Sequence, residues 1–244
     1  MHNHTVQKKI IFFVPNLIDD GIKKTLEIYI KFFAKNFKVI VITNTKTKLI
    51  FNKNITFDNN NNFFSNFRII NLIFCAFRVL KFYEKNSVVF SLDDHFILLL
   101  LKKLNFKFKL MIRTSNPIYN PSKNEKFKDT PGIIRKKELK YFKYANFVIT
   151  YSKYNKFLLK KIFKVKNVEI IYNYFPKNFV KRKKKNKFNI YFVGRFVDSK
   201  DPIFFLKNNL KLLNKKNIKI NIIKKGILKN KLKNISKKFK KNVK

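Results

Sequence analysis

At 244 residues with 45% apolar side chains, the chain is long enough for one large domain or two small ones, each with a real core. Its 57 Lys and Arg against 13 Asp and Glu give a formal charge of +44, which invites polyanions: nucleic acid, an anionic membrane surface or phosphorylated substrates. The single Cys75 excludes an intramolecular disulfide and suits a reducing compartment.

The first elements alternate in the manner of a parallel sheet covered by helices. "KKIIFFVPN" predicts a strand, "GIKKTLEIYIKFFAKNF" a helix with Ile22, Leu26, Tyr29, Ile30 and Phe33 at helical spacing, and "KVIVITN" a second strand. The loop between them opens at the carboxyl end of the first strand, where doubly wound sheets bind ligands. The polar segment "FDNNNNFFSNF" is read as a loop without regular structure. "FRIINLIFCAFRVLKFYEKN" then predicts a helix with Cys75 as a buried structural thiol, "SVVFSL" a strand, "DHFILLLLKKLN" a helix and "FKLMIRTSN" a strand. "PIYNPSKNEKFKDTPG", with three prolines, is a loop over a cleft. "IIRKKELKYFKYA" is a helix, "NFVITYS" a strand, "KYNKFLLKKIFKV" a helix and "NVEIIYN" a strand.

Composition shifts at Tyr174 to Lys187, "YFPKNFVKRKKKNK", which reads as a basic interdomain linker. Beyond it the alternation restarts: "FNIYFVGRF" strand, "DPIFFLKNNLKLLNKKN" helix, "IKINIIKKG" strand, "ILKNKLKNISKKFKK" helix. The expected organisation is a complete α/β domain over 1–173, the linker over 174–187 and part of a second domain over 188–244.

The N-terminus lacks the features of a secretory signal, and the longest apolar run, "FILLLL", is far too short to span a bilayer. The expected location is the cytoplasm, at most peripheral to a membrane. The joint excess of Lys, Asn, Ile and Phe is also what an A+T-rich coding sequence produces with no partner selected.

Chemistry concentrates in "VGRFVDSKDP". A strand ending at Gly194, a short loop and a helix starting at Pro202, capped by Asp201, make a phosphate site in which Gly194 permits close approach. Arg195 and Lys200 flank it, so that a guanidinium fork and an ammonium can grip one diphosphate together. Arg113, closing a strand, either meets a phosphorylated or acidic acceptor or pairs with Glu125 or Asp129. Asp93, Asp94 and His95 are read as a helix-capping group rather than an acid/base or metal site.

"VGRFVDSKDP", preceded by "VITYS" and "VEIIYN", resembles the group 1 glycosyltransferases, family GT4 of the GT-B fold, with Ser152, Asn173, Gly194, Arg195 and Lys200 on the family's positions. The resemblance implies a GT-B-like chain: one complete Rossmann-like domain on the acceptor side, followed by a partial Rossmann-like domain on the donor side. It implies sugar transfer from a nucleotide-sugar donor to a saccharide or lipid-linked acceptor, with retention and without an essential metal or other cofactor. Arg195 and Lys200 would bind the donor phosphates, Gly21 would belong to the loop facing them, and Gly226 would keep one glycine of the second domain's turn. Arg113 and Asn116 would stand on the acceptor side. Departures are Asp20-Gly21 in place of a Gly-Gly pair, Lys224 in place of a glycine, and no Glu after Glu169, so the family's paired glutamates are absent. Two full doubly wound domains need roughly 100 to 200 residues each, which leads to the expectation that the chain is truncated.

Two other readings stay open. One is an inactive fragment that binds acceptor or membrane. The other is a polyanion-binding protein, although Tyr and Phe follow core periodicity and form no stacking platform for nucleic acid.

Overall fold

The computed structural model describes residues 8–17, 20–45, 54–59, 68–114, 118, 138–173, 189–194, 196, 200–213, 219–223 and 228–236. They fall into two compact units, one with a seven-stranded sheet and one with a two-stranded sheet.

The first unit runs β1 (Lys9–Phe13), α1 (Asp20–Phe33), β2 (Lys38–Thr43), β3 (Ile55–Asn59), α2 (Arg68–Phe82), β4 (Ser87–Ser91), α3 (Phe96–Lys103), β5 (Lys109–Arg113), β6 (Phe147–Thr150), α4 (Lys153–Lys161) and β7 (Val168–Ile170). A helical turn at 138–141 leads into a 3-10 turn, Phe142–Tyr144. All seven strands are parallel, in the order β3-β2-β1-β4-β5-β6-β7. Both faces of the central strands are covered, which is why β1, β2 and β4 read as continuous apolar runs rather than alternating ones.

One face carries α2, α3 and α4: Cys75, Ala76 and Val79, then Leu98 and Leu99, then Leu158 and Leu159 pack on Ile11, Phe13, Ile40 and Ile112. The other face carries α1, whose Leu26 and Ile30 pack on Phe12, Val39, Val41 and Phe90. Helix ends follow their local chemistry. Ser152 Oγ caps α4 by accepting the Asn155 amide at 3.1 Å. α3 stops where Asn105 enters the left-handed region at φ 66°, with Phe106 N–H donating back to the Leu101 carbonyl.

One expectation is corrected. Residues 57–59, read as part of a structureless polar loop, lie in β3, which pairs with β2 over Val39↔Ile55 to Thr43↔Asn59. A side chain from α2 holds that edge strand: Arg78 Nε donates to Asp58 Oδ2 at 2.6 Å, and its Nη1 donates to Asn44 Oδ1 at 2.8 Å. The strand therefore depends on a partner twenty residues downstream, beyond the reach of a local pattern.

The second unit is a strand-helix-strand-helix run: β8 (Asn189–Val193), α5 (Pro202–Leu213), β9 (Lys219–Ile223) and α6 (Lys229–Ser236). β8 and β9 are parallel and in register from Asn189↔Lys219 to Val193↔Ile223. Its small core gathers Phe196, Leu206 and Leu232. The linker expected over 174–187 lies outside the described residues.

Candidate functional site

In the second unit the parallel register brings the carboxyl ends of β8 and β9 to one edge. Phe196, 6% exposed, anchors the segment after β8 in the core, and its carbonyl accepts the Leu228 amide at 3.0 Å. That bond ties the β8 loop to the residue that leads into α6. A Cβ built on Gly194 would lie 3.4 Å from the Phe192 ring and 3.9 Å from Lys200 Cγ. Gly194 and Lys200 thus meet across the loop, with the aliphatic stem of Lys200 beside the bare backbone and Lys200 itself exposed. Asp201 Oδ1 accepts the Phe204 amide at 3.1 Å, and the Asp201 carbonyl accepts the Phe205 amide at 3.1 Å. Pro202 opens α5.

This geometry bears on the expected phosphate site. Pro202 has no N–H and the Phe204 amide is occupied by the cap, so the helix start offers an anion fewer donors than an uncapped one. The Asp201 carboxylate also opposes the positive end of the helix dipole. Of the basic residues expected at this site, Lys200 lies beside Gly194. Arg195 and Gly226 lie outside the described residues.

In the first unit the strand order reverses between β1 and β4, and a crevice at such a switch point is where open α/β sheets bind ligands. The segment after β1 is held on both sides. Leu17 N–H donates to Thr45 Oγ1 at 2.9 Å and Asn44 N–H to the Pro15 carbonyl at 3.1 Å, while Asn16 Nδ2 donates to Asp94 Oδ2 at 3.2 Å across the reversal. Gly21 stands in the first turn of α1, and its carbonyl accepts the Thr25 hydroxyl at 2.9 Å.

The "DDH" group differs from its sequence reading. The cap position of α3 falls on His95, whose side chain makes no capping hydrogen bond, and Asp94, at φ 50°, turns to Asn16. His95 is 6% exposed, with Nδ1 2.7 Å from Ser91 Oγ. The Ser91 hydroxyl also lies 3.2 Å from the Asp93 carbonyl, so Ser91 and His95 join the end of β4 to the start of α3. A histidine four residues after a serine at a strand end was the available signal.

Arg113 is 5% exposed, and its guanidinium is engaged within the unit. It lies over the Tyr29 ring at 5.5 Å and donates to the Tyr29 hydroxyl, to the Ile171 carbonyl at 3.4 Å and to Asn173 Oδ1 at 2.7 Å. Burial pushes the Tyr29 hydroxyl up, and the neighbouring guanidinium offsets part of that rise. Glu125, Asp129 and Asn116 lie outside the described residues. Among the described residues no three His, Cys, Asp or Glu side chains gather as a metal set, and no helix is long and apolar enough to cross a membrane.

No family model matches the sequence, and no curated protein does. Solved structures do. HepE from Anabaena, in complex with UDP and glucose, superposes with a TM-score of 0.65 at 13% identity over 97% of this chain and 68% of its own. The lipopolysaccharide outer core galactosyltransferase WaaB gives 0.56 at 17% identity over 97% of this chain and 67% of its own. TarM gives 0.57 at 16% identity over 71% of this chain and 35% of its own. The chain therefore spans about two thirds of HepE and WaaB and about a third of TarM. Taken with the seven-stranded parallel sheet and the second α/β unit, these likenesses show that the chain has the fold of the GT-B glycosyltransferases.

Proposed function

We propose that the chain acts in glycosyl transfer, moving a sugar with retention from a nucleotide-sugar donor to a cell-surface polysaccharide or lipid-linked acceptor, with no metal required. The observation that carries this reading is the meeting of Gly194 and Lys200 at the carboxyl edge of β8, beside the start of α5. Bare backbone and the stem of a lysine stand side by side there. Arg195, next to Gly194 in the chain, supplies the guanidinium. When the anomeric carbon parts from the donor, the bonding electrons pass to the diphosphate, and cationic groups positioned for that growing charge lower the barrier. In HepE, a structure of the same fold contains UDP and glucose, which supports a nucleotide diphosphate as the ligand class. Gly21, Gly226, Arg113 and Asn116 belong to the same reading: Gly21 and Gly226 on the donor side, and Arg113 and Asn116 on the acceptor side.

The test is nucleotide release by the full chain from a panel of sugar nucleotides, with UDP binding measured alongside. Arg195→Ala and Lys200→Ala are expected to weaken UDP binding and to lower turnover by about a hundredfold or more. Unchanged binding and turnover in both variants would remove the proposed roles.

A second reading is a chain that binds a nucleotide at this edge but does not transfer a sugar. It predicts UDP binding that depends on Lys200 with no nucleotide release from any donor.

A further inference from the structure

The outward face of α2 is apolar. Ile69, Ile70, Ile73, Phe74 and Phe77 are 65%, 37%, 38%, 40% and 63% exposed, whereas the polar residues Asn71, Cys75 and Arg78 face the protein. This inverts the usual surface helix, in which the polar stripe is the wet one. Ile70, Ile73, Phe74, Phe77 and Lys81 recur at helical spacing along one line of about 16 Å at 1.5 Å per residue. An apolar strip of this kind on a soluble unit marks a surface that meets something apolar.

The charges described at the carboxyl end of the strip are mainly positive. Neither α2 nor α3, which packs beside it, contains an Asp or Glu. Lys81 and Lys85 are exposed at the carboxyl end of α2, Lys103 and Lys107 are exposed at and just beyond the end of α3, and between those two lie Leu104 and Phe106, also exposed. The nearby carboxylate of Glu84 is paired with Lys9.

We infer that this face of α2, extended by the turn after α3, docks on an anionic lipid bilayer, with the Ile and Phe side chains entering the headgroup boundary and the lysines meeting lipid phosphates. A helix of apolar outer face bordered by lysines has the composition of an interfacial element. A second copy of the chain is the less fitting occupant, because two chains of formal charge +44 repel, whereas an anionic surface attracts each of them. The geometry adds a directional claim. α1 covers the opposite face of the sheet and carries its own exposed aromatic, Phe32, so a unit lying on its α2 face holds Phe32 away from the lipid.

The test uses the full chain with vesicles of phosphatidylcholine alone or mixed with phosphatidylglycerol, at low and at high salt. Binding to the mixed vesicles is expected, with a part that survives high salt. The double substitution Phe74→Ser with Phe77→Ser is expected to lower that salt-resistant part about tenfold or more, and Phe32→Ser to leave it unchanged. Phe77→Cys and Phe32→Cys, each labelled with an environment-sensitive fluorophore, give a reading that does not depend on the double variant folding; buried Cys75 stays unlabelled. A blue shift with mixed vesicles at residue 77 and none at residue 32 is expected. Equal shifts at the two positions, or equal high-salt binding by the double variant and the parent, would overturn the inference. So would a double variant that changes the sedimentation of the chain and not its vesicle binding, which would assign the face to a second copy. None of these readings depends on sugar transfer.

Discussion

Arg113, at the end of β5, donates to Asn173 Oδ1 at 2.7 Å, so two residues sixty positions apart are joined by a buried guanidinium that also covers the Tyr29 ring. One side chain thereby links β5, α1 and the segment after β7 at the carboxyl edge of the sheet.

Removing that link should loosen the edge. Arg113→Ala is expected to cost about 3 kcal/mol, since it strips hydrogen bonds from a buried site and leaves the Tyr29 hydroxyl without its donor. Arg113→Lys should recover less than half, because an ammonium cannot reproduce the planar fork. Denaturant midpoints of the three proteins decide this, and equal midpoints for parent and Ala variant would refute the link.

The strand β3 is held by Arg78 and Asp58, whose side chains are 12% and 26% exposed. Asp58→Asn should cost about 2 kcal/mol, a figure reduced from that of a fully buried pair because water reaches Asp58. The loss should be local. Hydrogen exchange of amides 55–59 is expected to accelerate while β4 and β5 stay protected.

Alkaline pH should destabilise the first unit. Burial pushes the Cys75 thiol up, outweighing the hydrogen bond from Asn44 and the charge of Arg78, and burial does the same to the Tyr29 hydroxyl. A folded value above the unfolded one means that stability is fully present below the unfolded value, about 8.5 for a thiol and about 10 for a phenol, and is lost as pH rises through the folded value. Denaturant midpoints should fall across that range, and Cys75→Ala should flatten the earlier part of the fall. In the native chain at neutral pH, Cys75 should resist a thiol-specific disulfide reagent that labels it at once in denaturant.

The cap at Asp201 can be separated from its charge. Asp201 sits at φ 42°, a conformation that Asn tolerates and Ala does not. Asp201→Ala is expected to cost about 1 to 2 kcal/mol through the lost cap and the strained backbone. Asp201→Asn keeps an acceptor for the Phe204 amide and removes a negative charge from the proposed phosphate site, so its stability should stay near the parent value while UDP binds several times more tightly. Calorimetric titration with UDP checks the second half of this, and weaker binding by the Asn variant would count against a phosphate site at this edge.

Alternating apolar runs and helical spacing in the sequence determined most of the fold: strands covered on both sides announce themselves by composition, and α1 to α6 by periodicity. The Asp201 cap and the start of α5 at Pro202 were legible for the same reason, since capping chemistry is decided within four residues. Other features required the tertiary structure. β3 exists because β2 offers an edge and Arg78 arrives from α2 to hold Asp58, whereas its own strand-favouring run, Ile55 to Phe57, is three residues long and leads straight into a polar tract. Arg113 was legible as a candidate closing a strand and Asn173 as a motif residue, yet their meeting depends on how β5 and β7 are placed in the sheet. The same holds for α2: its sequence carries apolar residues on every side, and only packing on β1 and β2 reveals that Cys75, Ala76 and Val79 face the core and leave Ile73, Phe74 and Phe77 to the outside. Local chemistry sets what each segment becomes, and the choice of neighbours, made over separations of tens of residues, sets which side chains remain for a ligand or a surface.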